Sequence, residues 1–245
     1  MVSELRKVGA SLDILSGGAA QGLVGSLAAQ FKQRTGLDIA GEFGAVGAMA
    51  EKLRGGAPAD ILILTSALTA TLAREGFVAE NTVKNVGRVE TALAVREVDP
   101  LVSAPDSASL RAAFLSADAI FVPDTKASTA GIHVAKVLRE LGIADEVAHR
   151  LKIYPNGATA MRQMAESNAR KPIGCTQATE IIATRGIKLS GALPKGCDLA
   201  TMYTAAVTAR AAHTREAQIL IDLLTAADHG PLREQAGFID PVPSS

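Results

Sequence analysis

Residues 12–36 read LDILSGGAAQGLVGSLAAQFKQRTG, and this stretch decides the fold. Leu12, Ile14 and Leu15 form a short apolar run that ends at Gly17-Gly18, the pattern of a strand stopped by a turn. Leu23, Leu27 and Phe31 then recur at i, i+4 and i+8, the spacing of one helical face, and Gly36 follows as a stop. The same strand, turn and helix sequence returns along the chain. Strands are expected at 12–16, 38–43, 60–65, 89–96, 119–122, 173–176 and 202–208, each short and bounded by glycine, proline or polar residues. Helices are expected at 20–35, 48–54, 67–74, 130–141, 158–167 and 215–227. This alternation predicts an α/β protein with helices on both faces of its sheets. A change of lobe is expected near Val98-Asp99-Pro100 and a return near Lys195-Gly196-Cys197-Asp198. The lobes are then residues 1–96 with 204–245, and residues 97–203. A single doubly wound sheet fits the pattern equally.

The 245 residues carry 25 Lys+Arg and 25 Asp+Glu, so the formal net charge is zero. That balance argues against nucleic acid and against a polybasic membrane surface as partners. Aromatics are 3% with no Trp, so stacking platforms are scarce and a polar ligand must be held by amides, hydroxyls and charges. No apolar run approaches the ~20 residues of a membrane span. The start, MVSELRKVGA, has no apolar leader segment, so the chain as written reads as cytoplasmic, and as periplasmic if a leader has been removed. Cys175 and Cys197 are too few for a disulfide framework, and two buried thiols are expected over one bridge.

Four turns at strand ends carry the candidate chemistry. They are Ser16-Gly17-Gly18-Ala19, Val46-Gly47, Lys126 with Ser128-Thr129, and Asn156-Gly157. At each, free backbone N–H groups at a helix start point to an anion, and the helix dipole adds to the attraction. Capping explains any one of them; four together point to an anion-binding cleft at the carboxyl ends of the strands. There is no dinucleotide fingerprint, P-loop or nucleophile elbow. His133, His149, His213 and His229 lack metal-ligand spacing, and no metal or organic cofactor is implied. His133 stands one turn beyond Thr129, and Lys126 shares that loop, so these two are the candidate bases.

Ala29-Gln30-Phe31-Lys32 with Thr35-Gly36, Gly56-Ala57-Pro58-Ala59-Asp60, and Ala130-Gly131-Ile132 with Ala135-Lys136 resemble the periplasmic molybdate-binding protein family. The resemblance runs from about Leu12 to Asp240. It implies the type II solute-binding fold: two α/β lobes, two crossing strands near 95–100 and 200–204, and a ligand cleft between them. The family holds its oxyanion with two serine hydroxyls, backbone amides and a tyrosine. Those positions fall here near Ala19, at Val46 and Gly47, and at Gln177, where the hydroxyls are missing. A charged hydrogen bond is worth about 1.5–3 kcal/mol, so molybdate is not the expected ligand. A small di- or tricarboxylate suits the roomier wall at Val46 and Gly47. The related aconitate isomerase branch moves a double bond in a tricarboxylate by an allylic proton shift, and the resemblance extends that expectation here. The alternative is a non-catalytic anion-binding protein, either a receptor for an ABC permease or a cytoplasmic sensor.

Overall fold

The computed structural model describes residues 11–239, so the charged start and the ends of the expected first lobe, residues 1–10 and 240–245, lie outside it. In chain order the elements are β1 (Ser11–Gly17), α1 (Gln21–Thr35), β2 (Asp38–Gly44), α2 (Val46–Arg54), β3 (Ile61–Thr65), α3 (Ser66–Arg74) and β4 (Lys84–Arg96). Then come α4 (Ser107–Ser116), β5 (Ala119–Pro123), α5 (Thr129–Glu140), α6 (Ala144–Val147), β6 (Leu151–Tyr154), α7 (Gly157–Ala165) and β7 (Pro172–Gln177). The chain continues through α8 (Ala178–Ile182), β8 (Ile187–Ala192), β9 (Ala200–Val207), α9 (Thr214–Thr225) and α10 (Gly230–Gln235).

The strands run in the order β2-β1-β3-β9-β4-β7-β5-β6, with β8 also on β4. Neighbours β1–β2, β1–β3, β5–β6 and β5–β7 are parallel, while β3–β9, β4–β9, β4–β7 and β4–β8 are antiparallel. Two lobes arise because β4 changes partners along its length. Its first half, Lys84 to Glu90, pairs with β9; from Thr91 onward it pairs with β7 along one edge and, from Ala92, with β8 along the other. The backbone N–H of Thr91 donates to the Leu199 carbonyl just before β9 begins. The chain therefore crosses twice between a first sheet and a second. The first switch comes at Thr91, a few residues before the expected 95–100, because β4 continues as a paired strand through Arg96.

Burial explains why these segments hold. In β3 Ile61, Leu62, Ile63 and Leu64 are all buried, the pattern of a central strand covered on both faces. In α1 Leu23, Leu27 and Phe31 are buried, each worth about 1.5–3 kcal/mol, and Gly36 closes the helix in the left-handed region at φ 77°. Gly131 stands in the first turn of α5, where a Cβ would overlap the carbonyl oxygens of Asp124 and Pro123. Only glycine lets that helix start so close to β5.

Six of the elements, β6, β8, α4, α6, α8 and α10, have no counterpart in the sequence analysis. Strands β6 and β8 lie off the central path or at its end, and β6 exposes both Lys152 and Ile153, so no alternation marks it. Helix α4 does carry a signal: Asp106 accepts the Ser109 N–H at 2.7 Å as an N-cap. Helices α8 and α10 are too short to show a periodicity.

Candidate functional site

The four turns converge. Gly17 ends β1 against Val46 Cγ1 and the ring of Tyr203, and Gly18 opens the 3-10 turn Gly18–Ala20. Gly47, at the start of α2, sends its N–H to the Ala127 carbonyl at 3.4 Å, so a turn of the first sheet touches a loop of the second. Gly18 and Gly157, also one from each sheet, both face the carboxyl of Glu180 on α8.

Glu180 was not singled out in the sequence, and it is the centre of this arrangement. It is buried, with the Thr176 hydroxyl donating to its Oε2 at 2.6 Å. Backbone amides of Ala158, Gly157 and Gln177 also act on it, favouring its charged form. A Cβ on Gly18 would overlap Oε1, and one on Gly157 would overlap Oε2 and Thr176 Oγ1. The two glycines thus bring backbone against the carboxyl from opposite sides. Burial pushes this carboxyl above the ordinary glutamate range, and the hydroxyl and amides pull the other way without restoring it. Tyr203 is buried beside it; burial first, then the Glu180 charge, push its phenol upward. The tertiary signal is a lone acid three residues beyond a strand end, which in sequence looks like any helix residue.

The other candidate residues occupy defined places. Ser16 is fully buried and its hydroxyl donates to the Gly17 carbonyl at 2.9 Å. Ala19 and Val46 are buried. Ser128 stands at the N-cap of α5, but its side chain makes no capping bond, and Thr129 is the first helical residue. Asn156 does cap α7, accepting the Thr159 N–H at 2.8 Å. Gln177, 3% exposed at the end of β7, has neither side-chain polar atom partnered among the described residues. Lys126 is exposed; its backbone N–H and that of Ala127 donate to Asp124 Oδ1 at 2.7 and 2.9 Å. His133 Nε2 lies 2.8 Å from the Cys197 carbonyl, which occupies that ring nitrogen within the second lobe. Cys175 and Cys197 are both free and buried, and burial pushes the Cys175 thiol up, out of the reactive range.

A roomy groove at the opposite ends of β1 and β3, lined by Arg54, Asp60, Arg210 and His213, is separate from this cradle. Its buried acid is spent on structure. Asp60 accepts the Asp13 N–H at 3.0 Å and the His213 N–H at 2.9 Å, with His213 Nδ1 at 3.3 Å. Burial works to raise the Asp60 carboxyl, but these donors together hold it below the usual range. Asp60 thereby ties β1, β3 and the start of α9 together.

Comparison with known proteins gives one consistent architecture. The family described as bacterial extracellular solute-binding protein matches residues 12–239. Aconitate isomerase from Pseudomonas sp. is 25% identical over 244 residues, covering 96% of this chain and 89% of that protein. The molybdate-binding protein ModA of Escherichia coli is 22% identical over 183 residues, covering 74% and 70%. The periplasmic molybdate-binding protein of Azotobacter vinelandii superposes with a TM-score of 0.77 at 19% identity, covering 95% of this chain and all of that one. No described helix is long and apolar enough to cross a membrane.

Proposed function

The chain belongs to the bacterial extracellular solute-binding protein family, and from that premise we propose that its cleft captures a small di- or tricarboxylate and isomerises it by an allylic proton shift. The observation that carries the ligand class is the cradle around Glu180. There the hydroxyl of Thr176 and the amides of Gly157, Ala158 and Gln177 already converge on a carboxylate, the protein's own. These donors are engaged by Glu180 itself, so the support is one of arrangement: the turns present amides and a hydroxyl in the geometry that a planar carboxylate needs. The absence of hydroxyls at Ala19, Val46 and Gln177 counts against a mineral oxyanion held by serines and a tyrosine. Gln177 adds a buried amide with no partner among the described residues, a donor left over for a ligand. The isomerase half of the reading is supported by the similarity to aconitate isomerase.

The lobes of this reading, residues 1–96 with 204–245 and residues 97–203, are supported by the partner switch at Thr91 and the start of β9 at Ala200. Ser16, Gly17, Gly18, Ala19, Val46 and Gly47 would line the ligand from the first lobe, and Ser128, Thr129, Asn156, Gly157 and Gln177 from the second.

A melting-temperature screen tests the ligand class. A ligand at 100 times its Kd stabilises by about 2.7 kcal/mol, so trans-aconitate and related acids should raise the midpoint while molybdate, tungstate and sulfate leave it unmoved. Tight molybdate binding without carboxylate binding would reverse the assignment. Proton NMR of trans-aconitate with the protein then detects the isomerised product. The second reading is a receptor that delivers its anion to an ABC permease without catalysis. It is favoured by the exposure of Lys126 to solvent and by the bond to the Cys197 carbonyl that occupies His133 Nε2. Binding with no product across the acid panel would select it. The isomerase reading is compatible with a cytoplasmic site of action, whereas the receptor reading requires an extracytoplasmic one, which the family description supports.

A further inference from the structure

The geometry points to Glu180 as the group that carries the proton in that isomerisation, replacing Lys126 and His133 in the role; the inference rests on the isomerase reading above. Three observations support that role. It lies between Gly18 and Gly157, the turns that face each other from the two lobes. One oxygen, Oε2, is anchored by Thr176 at 2.6 Å, which fixes the plane and leaves Oε1 turned toward the Gly18 turn. The surrounding surface is backbone amide, hydroxyl and phenol: amides from the start of α7 and the end of β7, the Thr176 hydroxyl, and Tyr203 from β9. No cation is among the described groups that act on it, so none of them holds the carboxyl permanently ionised.

The step balances without an oxidant or cofactor. Glu180 as carboxylate takes a proton from the methylene carbon alpha to a substrate carboxylate. The electron pair of the broken C–H bond becomes the new C=C bond. The former C=C pair takes the proton back from Glu180 at the far carbon, and the carboxylate is regenerated. The side-chain amide of Gln177, which has no partner among the described residues, is the donor left to meet charge that builds on a substrate carboxylate between the two transfers. Because burial raises the Glu180 carboxyl, its carboxylate is a stronger base than an exposed glutamate's, which favours taking the proton from carbon.

The test compares wild type, Glu180→Gln and Glu180→Asp with trans-aconitate, following product by NMR and binding by calorimetry. Glu180→Gln should bind within a few-fold of wild type and lose roughly 10²–10⁴-fold in turnover, with Glu180→Asp retaining part of the rate. If wild type turns over and Glu180→Gln keeps more than about a tenth of that rate, Glu180 is not the base although the isomerase reading stands. If wild type binds and produces nothing, both fall together. Should Glu180→Gln fail to fold, the wild-type pH profile decides alone. The kcat/KM must fall on the acid side with an apparent pKa above the ordinary ~4.3 of glutamate, and a profile flat through that limb overturns the assignment.

Discussion

Replacing Gly157 with alanine tests whether the cradle is packed as described. A Cβ there would overlap Glu180 Oε2 and Thr176 Oγ1, and would approach Glu180 Cδ to 2.6 Å. The far ends of these side chains are not free to swing aside, because they bond to one another at 2.6 Å in a buried site. Overpacking a tight site costs about 1–3 kcal/mol. Loss of the Thr176–Glu180 hydrogen bond adds about 0.5–1.5 kcal/mol. The better helix propensity of alanine returns at most ~1 kcal/mol. The net expectation is a loss of about 2–3 kcal/mol, which for a chain of this size lowers the thermal midpoint by roughly 5–10 °C. Urea unfolding of Gly157→Ala, Thr176→Ala and the double variant gives the assay. Removing Oγ1 relieves part of the clash, so the double variant should be less damaged than the sum by about 0.5 kcal/mol or more. Strict additivity, or a Gly157→Ala midpoint equal to wild type, would show that Glu180 does not occupy this position.

Other expectations follow from the same geometry. Gly131→Ala should be worse than Gly157→Ala, because its Cβ meets the backbone carbonyls of Asp124 and Pro123, whereas Gly25→Ala, with nothing nearby, should stabilise by about 0.5–1 kcal/mol in thermal melts. Asn156→Ala should cost about 0.5–2 kcal/mol as a lost cap, while Ser128→Ala, which breaks no capping bond, should cost distinctly less; equal losses in denaturant titrations would contradict the assignment. The raised Glu180 carboxyl keeps its proton in the native state after the unfolded chain has released it. Its favourable share of stability is complete below the unfolded value of ~4.3 and disappears as pH rises toward the folded one. Wild type should therefore lose ground against Glu180→Gln as unfolding is repeated from about pH 4.5 to pH 8, and a gap that does not change with pH would refute the shift.

The parts of the molecule that were legible are those whose pattern is local. The periodicity of Leu23, Leu27 and Phe31 and the apolar run at 61–64 give α1 and β3 nearly to the residue. Strand β6 has no such pattern because it lies at the end of the sheet with two consecutive side chains exposed. The turns could be found because glycine and hydroxyl residues punctuate strand ends, but their meeting at one carboxyl depends on contacts between residues 18, 157 and 180, which no spacing encodes. The most specific stretch of the family resemblance, Gly56 to Asp60, ends in a residue that works as a tie between β1, β3 and α9, away from the cradle. Sequence likeness at that stretch therefore reports architecture.

Strand β9 lies between β3 and β4 in the first sheet, pairing Ile61 with Val207 and Lys84 with Ala205. On the ribosome this imposes an order of events. The apolar residues 61–64 are synthesised more than a hundred residues before the strand that covers their edge. Strands β5, β6 and β7 can pair with one another in the meantime, so the strands of the second lobe can come together before the first sheet is complete. Until residues 200–207 emerge, the nascent chain presents a bare hydrophobic strand edge, the kind of surface that recruits chaperones or pairs with another chain. A chain that terminates before Val207 has no means of closing that edge, so nonsense and frameshift products of this protein are expected to accumulate as aggregates.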